Sequence, residues 1–145
     1  MWAVAKGAVT FDGELKIAAQ KYCDDWLVFH DYEVHLYVND HSPTADDTLA
    51  DYVECALIGY AAQLLIRSGW SVADPLAHAV LIEQATPRRF FPLGITVPTL
   101  VYGYYVTDEA GALAWAEAFT LPQTIGVGQW IDVRAKIRYA NCPAC

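Results

Sequence analysis

The chain has 145 residues, 55% of them hydrophobic and 18% charged, with 9 Lys and Arg against 17 Asp and Glu for a formal net charge of −8. That length suits one domain with a real core, and such an apolar composition excludes a disordered chain. The acidity excludes a phosphate binder relying on clustered Lys and Arg, and no stretch reaches the ~18 uninterrupted apolar residues of a membrane span.

Met1-Trp2-Ala3-Val4-Ala5-Lys6 lacks the charged start, apolar run and cleavage site of a secretion signal. Residues Met1 to Asp12 show no periodic element and read as an extended arm. Leu15, Ala18, Ala19, Tyr22 and Trp26 then fall at helical spacing, with Asp12 and Glu14 at the favoured end of the helix dipole, which predicts one amphipathic helix over about 13–25. From Glu33 the period becomes two: Val34, Leu36 and Val38 oppose Glu33, His35 and Tyr37, as in a strand with one buried face. Asn39 to Thr48 is a turn-rich loop in which Thr44 is placed to cap a single helical turn.

Periodicity does not decide the apolar stretch Val53–Ile66; Gly59-Tyr60 and the neighbouring strands favour β. Trp70–Ala73 and Ala77–Gln84 read as two strands with Pro75 at the turn between them. Val97–Thr107 and Ala112–Leu121, joined by Asp108-Glu109-Ala110-Gly111, should form a hairpin, with Leu113, Trp115 and Phe119 sharing one face. Beyond the turn Thr124–Gly128, Ile131, Val133, Ala135, Ile137 and Tyr139 alternate with Asp132, Arg134, Lys136 and Arg138, the cleanest strand pattern in the chain. Seven or eight short strands imply a mainly β domain, a β-sandwich or jelly-roll-like fold or small barrel over 13–140, with a C-terminal CxxC tail at 141–145.

Charge is segregated. Nine acids and no Lys or Arg lie between Asp24 and Glu54, whereas Arg134, Lys136 and Arg138 share one strand face and Arg88-Arg89 adds a second basic point. Either copies of the chain set these regions against each other, gaining register, or both are solvated faces of one subunit.

No motif carries chemistry. His30, His35 and His41 lie near Asp31, Glu33 and Asp40, but no His-x-His pair places two imidazoles on one strand face, so they read as exposed strand-edge histidines and no metal is expected. Cys142-Pro-Ala-Cys145 lacks the helix that activates a thioredoxin-like CxxC. Zinc binding with Cys23 and Cys55, or a Cys23–Cys55 or intersubunit disulfide, are alternatives to free thiols. There is no Gly-x-Ser-x-Gly elbow, and Gly126-Val-Gly128 has no helix after it to bind a dinucleotide. The expectation is a non-enzyme with no cofactor.

Leu36-Tyr-Val-Asn-Asp-His-Ser-Pro-Thr-Ala-Asp-Asp-Thr-Leu-Ala-Asp-Tyr-Val-Glu54 with Gly59-Tyr60, then Val101-Tyr-Gly-Tyr-Tyr-Val-Thr-Asp108 and Leu113-Ala-Trp-Ala-Glu117, resembles a group of small tailed-phage and prophage virion structural proteins over about residues 30–138. The CxxC tail and Pro87-Arg-Arg-Phe-Phe-Pro92 depart from that pattern. The resemblance implies a capsid decoration, or cement, protein on the outer head shell, made in the host cytoplasm. Its partners would be the major capsid protein and other copies of itself, as a homotrimer, with neither nucleic acid nor membrane. Interface candidates are Trp2 and Phe11 as anchors on the arm, and Arg88, Arg89, Arg134, Lys136 and Arg138 as the basic complement. The rivals are a tail-associated or fibre module binding a host glycan through Trp and Tyr platforms beside acids, and a ligand- or metal-binding jelly roll.

Overall fold

The computed structural model describes residues 4–5, 12–76 and 79–140, with side chains described for 19–73 and 81–137. Helix α1 spans Asp12–Asp25, within a residue of the periodic pattern, and Ala19 and Cys23 are buried on it. Leu15 and Ala18 lie outside the described side chains, as do Trp2, Phe11 and Arg138; the remainder of the arm and the CxxC tail lie outside the described residues. In chain order the strands are β1 (Val4–Ala5), β2 (Glu33–Tyr37), β3 (Gln63–Leu64), β4 (Trp70–Leu76), β5 (Ala79–Gln84), β6 (Arg88–Phe90), β7 (Thr99–Thr107), β8 (Leu113–Ile125), β9 (Ile131–Val133) and β10 (Lys136–Ala140). The fold is mainly β, as the alternation predicts. One sheet runs β1-β10-β5-β4, a second β3-β2-β7-β8, and β6 pairs with β9. All described pairings are antiparallel except β1 with β10.

One apolar cluster draws on both large sheets. Val34, Leu36, Tyr104, Val106 and Trp115 come from the second sheet, and Trp70, Ile82 and Ile137 from the first, with Ala19 and Leu27 from the helical segment. Full burial of each large side chain contributes about 1.5–3 kcal/mol. The Tyr104 hydroxyl accepts the Lys136 N–H at 3.1 Å and so ties β7 to β10 across the core. Gln84, also buried, acts as a substitute strand: its amide donates to the Ile66 carbonyl at 3.0 Å and accepts the Ile66 N–H at 3.2 Å. Those bonds satisfy backbone that the ladders leave unpaired.

Several readings need correction. Val53–Ile66 is largely irregular, pairing only through a Tyr37–Glu54 bridge and β3, because the chain turns at Gly59, where φ is +84°. A Cβ there would stand 2.9 Å from the Leu93 nitrogen, so the close approach as well as the turn calls for glycine. Pro75 lies within β4 and pairs with Val80; β4 is an edge strand with an irregularity between Val72 and Pro75, which a residue lacking an N–H tolerates. The alternating run from Ile131 does bury Ile131, Val133, Ala135 and Ile137, yet the ladder breaks at Arg134-Ala135, where the chain leaves β6 for β5.

The hairpin forms around Asp108, whose Oδ1 accepts the N–H groups of Ala110 and Ala112, both at 2.9 Å, with Gly111 at φ +78°. Its second strand runs on to Ile125, so the following turn starts at Gly126. An irregularity between Val106 and Thr107 sends Leu113 to the face opposite Trp115. The single helical turn appears at Leu49–Asp51, where the Thr48 N–H donates to the Asp51 carboxylate at 2.8 Å, and not at Thr44.

Candidate functional site

The β7–β8 hairpin has two dissimilar ends. At its open end Thr99 pairs with Ile125, and Val97 and Val127 each lie two residues beyond that last pair. Segments 91–97 and 126–130 meet there. Phe91 packs edge-on against Trp130, with ring centroids 6.0 Å apart, where the β6–β9 ladder runs out beyond Phe90 and Ile131. The Gly94 N–H donates to the Ile58 carbonyl at 3.0 Å, which brings the Gly59 turn alongside Leu93. Ile58 is 75% exposed and Leu93 80%, and Phe91, Val97, Val127 and Trp130 are exposed too. Scattered apolar residues are ordinary on a surface, but a gathered set rimmed by polar groups marks a contact site.

The basic candidates do not form one patch. Arg89 reaches this end, with its guanidinium 4.5 Å from the Trp130 ring centroid and paired to both Asp132 carboxylate oxygens at 2.8 and 3.0 Å. That fork holds the Asp132 carboxyl below the usual carboxylate range. Arg88 donates to the Leu64 carbonyl at 2.7 Å, while Lys136 pairs with Glu117 at 3.3 Å. Burial raises the Glu117 carboxyl despite that lysine. Arg134 is exposed and makes no ion pair with the described residues.

The acidic segment is likewise used inside the subunit. Asp31 pairs with Arg67 at 2.6 Å. Asp47 accepts from the Thr44 hydroxyl at 2.6 Å, the Tyr52 hydroxyl at 2.6 Å, His41 Nε2 at 2.7 Å and the Thr44 N–H at 3.0 Å. Burial opposes ionisation there, but these bonds together hold the carboxyl well below its ordinary range.

The histidines are not exposed edge residues. His35 lies on β2, between β3 and β7, with its side chain 12% exposed and stacked on Tyr105 at 4.7 Å. Its Nδ1 meets Glu54 at 2.5 Å and its Nε2 meets the Thr107 hydroxyl at 2.9 Å. This carboxylate, imidazole and hydroxyl have the connectivity of a nucleophilic triad, but Thr107 is only 6% exposed, so its hydroxyl is closed to a substrate. Among the described residues no group of three His, Cys, Asp or Glu is placed to hold a metal ion, and no helix is long and apolar enough to cross a membrane. Cys23 and Cys55 are buried and free, which removes the disulfide between them, and burial pushes the Cys23 thiol up to about 11.

At the hairpin's turn end a cavity of about 270 Å³ opens between Trp26, His30, Tyr32, Asp108, Glu109, Ala110 and Ala114. The Trp26 indole N–H donates to the Tyr32 hydroxyl at 2.8 Å, and the Trp26 and His30 rings stand nearly perpendicular with centroids 4.0 Å apart. Sequence reasoning missed both ends, since each joins segments far apart in the chain; the clustered aromatics at Phe90-Phe91 and Trp130 were the only local signal for the first. No protein-family model, curated protein or solved structure matches the chain.

Proposed function

We propose that this is a virion structural protein of the capsid decoration type, a β-sandwich of jelly-roll character that binds the outer head shell and strengthens it through contacts between subunits. The resemblance to tailed-phage proteins supplies the kind of assembly. The observation that carries the reading is the apolar end formed by Ile58, Phe91, Leu93, Val97, Val127 and Trp130, exposed in the single chain and rimmed by the Arg89–Asp132 pair. Such a patch supplies the dry centre of an interface, and a charged pair at its edge supplies register. The partners in this reading are the major capsid protein and further copies of the chain, as a trimer. In this reading the chain itself does no chemistry.

The test is co-sedimentation of the purified chain with head shells assembled from the major capsid protein of the same genome. Binding in the shell fraction, lost in Leu93→Glu and Trp130→Glu, is the expected result. A chain that stays in the supernatant, or that immunogold labelling places on tails, overturns the reading.

A further inference from the structure

The cavity at the turn end is far from the apolar patch, and its chemistry is different. Seven residues line it, the aromatic Trp26, His30 and Tyr32, the acidic Asp108 and Glu109, and Ala110 and Ala114, and burial together with the charges of Asp108 and Glu109 raises the Tyr32 hydroxyl. Its volume of about 270 Å³ suits a small head group and falls below the usual range for drug-sized ligands. The perpendicular Trp26 and His30 rings make a corner, and Tyr32 is fixed beside it by the indole N–H.

Each carboxylate has one oxygen engaged and one left over. Asp108 Oδ1 caps the hairpin turn, and Glu109 Oε1 accepts the Asp31 N–H at 2.7 Å. Neither second oxygen makes a hydrogen bond with the described residues. Arg67 pairs with Asp31 at 2.6 Å and more loosely with Glu109 at 3.9 Å, so one cation stands against the three carboxylates of Asp31, Asp108 and Glu109 and the cavity stays acidic. Donors are few: the indole N–H and the N–H groups of Ala110 and Ala112 are already used, which leaves the Tyr32 hydroxyl, an acceptor from Trp26, and the His30 imidazole, whose buried Nε2 has no hydrogen-bond partner among the described residues. A sugar needs donors as well as acceptors around its hydroxyls. A methylated ammonium needs none; it needs π faces and negative charge.

We propose that this cavity binds a methylated alkylammonium group, of the kind carried by choline, with the cation in the Trp26–His30 corner and facing Asp108 and Glu109. The chain's net charge of −8 favours the approach of such a ligand. The group is either free or the headgroup of a lipid.

The experiment titrates the full chain with choline chloride and follows the Trp26 indole N–H resonance by NMR. Parallel arms use 3,3-dimethylbutan-1-ol, the uncharged carbon isostere of choline, and glucose. Choline is expected to saturate the shift in the millimolar range, with the isostere and glucose at least about tenfold weaker. Trp26→Ala and Glu109→Gln should each weaken choline by about fivefold or more, in the range of a cation–π contact or one charge. For Trp26→Ala the reporter is calorimetry, because the indole is gone. Glu109→Gln keeps an oxygen for the Asp31 N–H, so it tests the charge without removing that support. Sedimentation with phosphatidylcholine vesicles, with and without competing choline, separates the two sources. Vesicle binding displaced by choline identifies a headgroup, and binding of choline alone identifies a free ligand. An isostere or glucose that binds as well as choline, an unchanged Glu109→Gln affinity, or no saturable shift overturns the proposal.

Discussion

The two faces of the β3-β2-β7-β8 sheet are both buried, but by different means. The inner face, with Val34, Leu36, Val106 and Trp115, packs into a core shared with the other sheet. The outer face presents Tyr37 and Tyr105, covered by loop 38–54 with its Tyr52, and the loop is held mainly through polar groups. Val38 and Val53 join backbone to backbone at 2.9 Å, Asn39 bonds both Asp51 and Val53, and the Tyr37 hydroxyl donates to the His41 carbonyl at 3.0 Å. A dry face tolerates loss of volume poorly; a face of tyrosines in a hydrogen-bonded cover responds to pH and to single hydroxyls. Burial pushes the Tyr37 and Tyr105 hydroxyls up to about 12, so these rings stay neutral across the physiological range.

The largest expected effect tests the inner face. Leu36→Ala removes a fully buried side chain that faces both sheets and should cost about 2–5 kcal/mol, read as a fall in the urea midpoint with little change in slope. Next comes the point where the outer layer lies flat on the sheet. Gly103 pairs with Tyr37, and a Cβ on it would collide with the Glu117 carbonyl oxygen and lie 2.7 Å from the Tyr37 ring. Gly103→Ala should therefore cost about 1–3 kcal/mol through overpacking. Gly111→Ala is its control: nothing lies within 4 Å of that Cβ, so only the strain of φ +78° remains, about 1 kcal/mol.

The outer cover is expected to yield to acid. The Asp47 carboxyl is depressed in the folded chain, so its contribution is complete above the unfolded carboxylate value near ~4 and is lost as pH falls below that toward the folded value. Tyr52→Phe deletes one of the hydrogen bonds responsible and should cost about 1.5 kcal/mol at neutral pH. Asp47→Asn should flatten the acid limb. Denaturation midpoints followed from pH 7 downward measure both, and an acid limb unchanged in Asp47→Asn would show that Asp47 does not set it.

The inner face was the more legible of the two in sequence. Alternation in Glu33–Tyr37 and Ile131–Ile137 reports directly which residues are buried, because a strand's side chains have a period of two. It could not report that the second run divides between two ladders at Arg134-Ala135, since burial alternates smoothly across the break. Nor could it place His35. Its alternation put it opposite Val34 and Leu36, as observed, but a loop arriving from nineteen residues away buries that face too. Pro75 and Gly59 misled for a related reason: a local breaker fixes where backbone is unusual, not whether the neighbouring strand continues. The basic residues were found as a pattern of charge, but pairing with Asp132 and Glu117 depends on contacts that spacing does not encode. Trp2, Phe11 and the Arg138 side chain lie outside the described residues, so the arm's anchors and that part of the strand face stay as sequence expectations, while Val4–Ala5 of the arm pairs with β10 of its own chain.

The smallest expected effect on stability is also the one that separates a folding surface from a working one. Leu93 is 80% exposed at the open end of the hairpin and belongs to neither buried cluster. Placing a carboxylate there removes little that folding gained, so Leu93→Glu should shift stability by no more than about 0.5 kcal/mol. An interface centre has the opposite sensitivity, because a buried charge without a partner there keeps its full desolvation cost. Leu93→Glu should therefore keep the wild-type urea midpoint while losing association with head shells. A midpoint that fell by several kcal/mol would place Leu93 in the fold after all, and unchanged association with an unchanged midpoint would move the working surface away from this end of the hairpin.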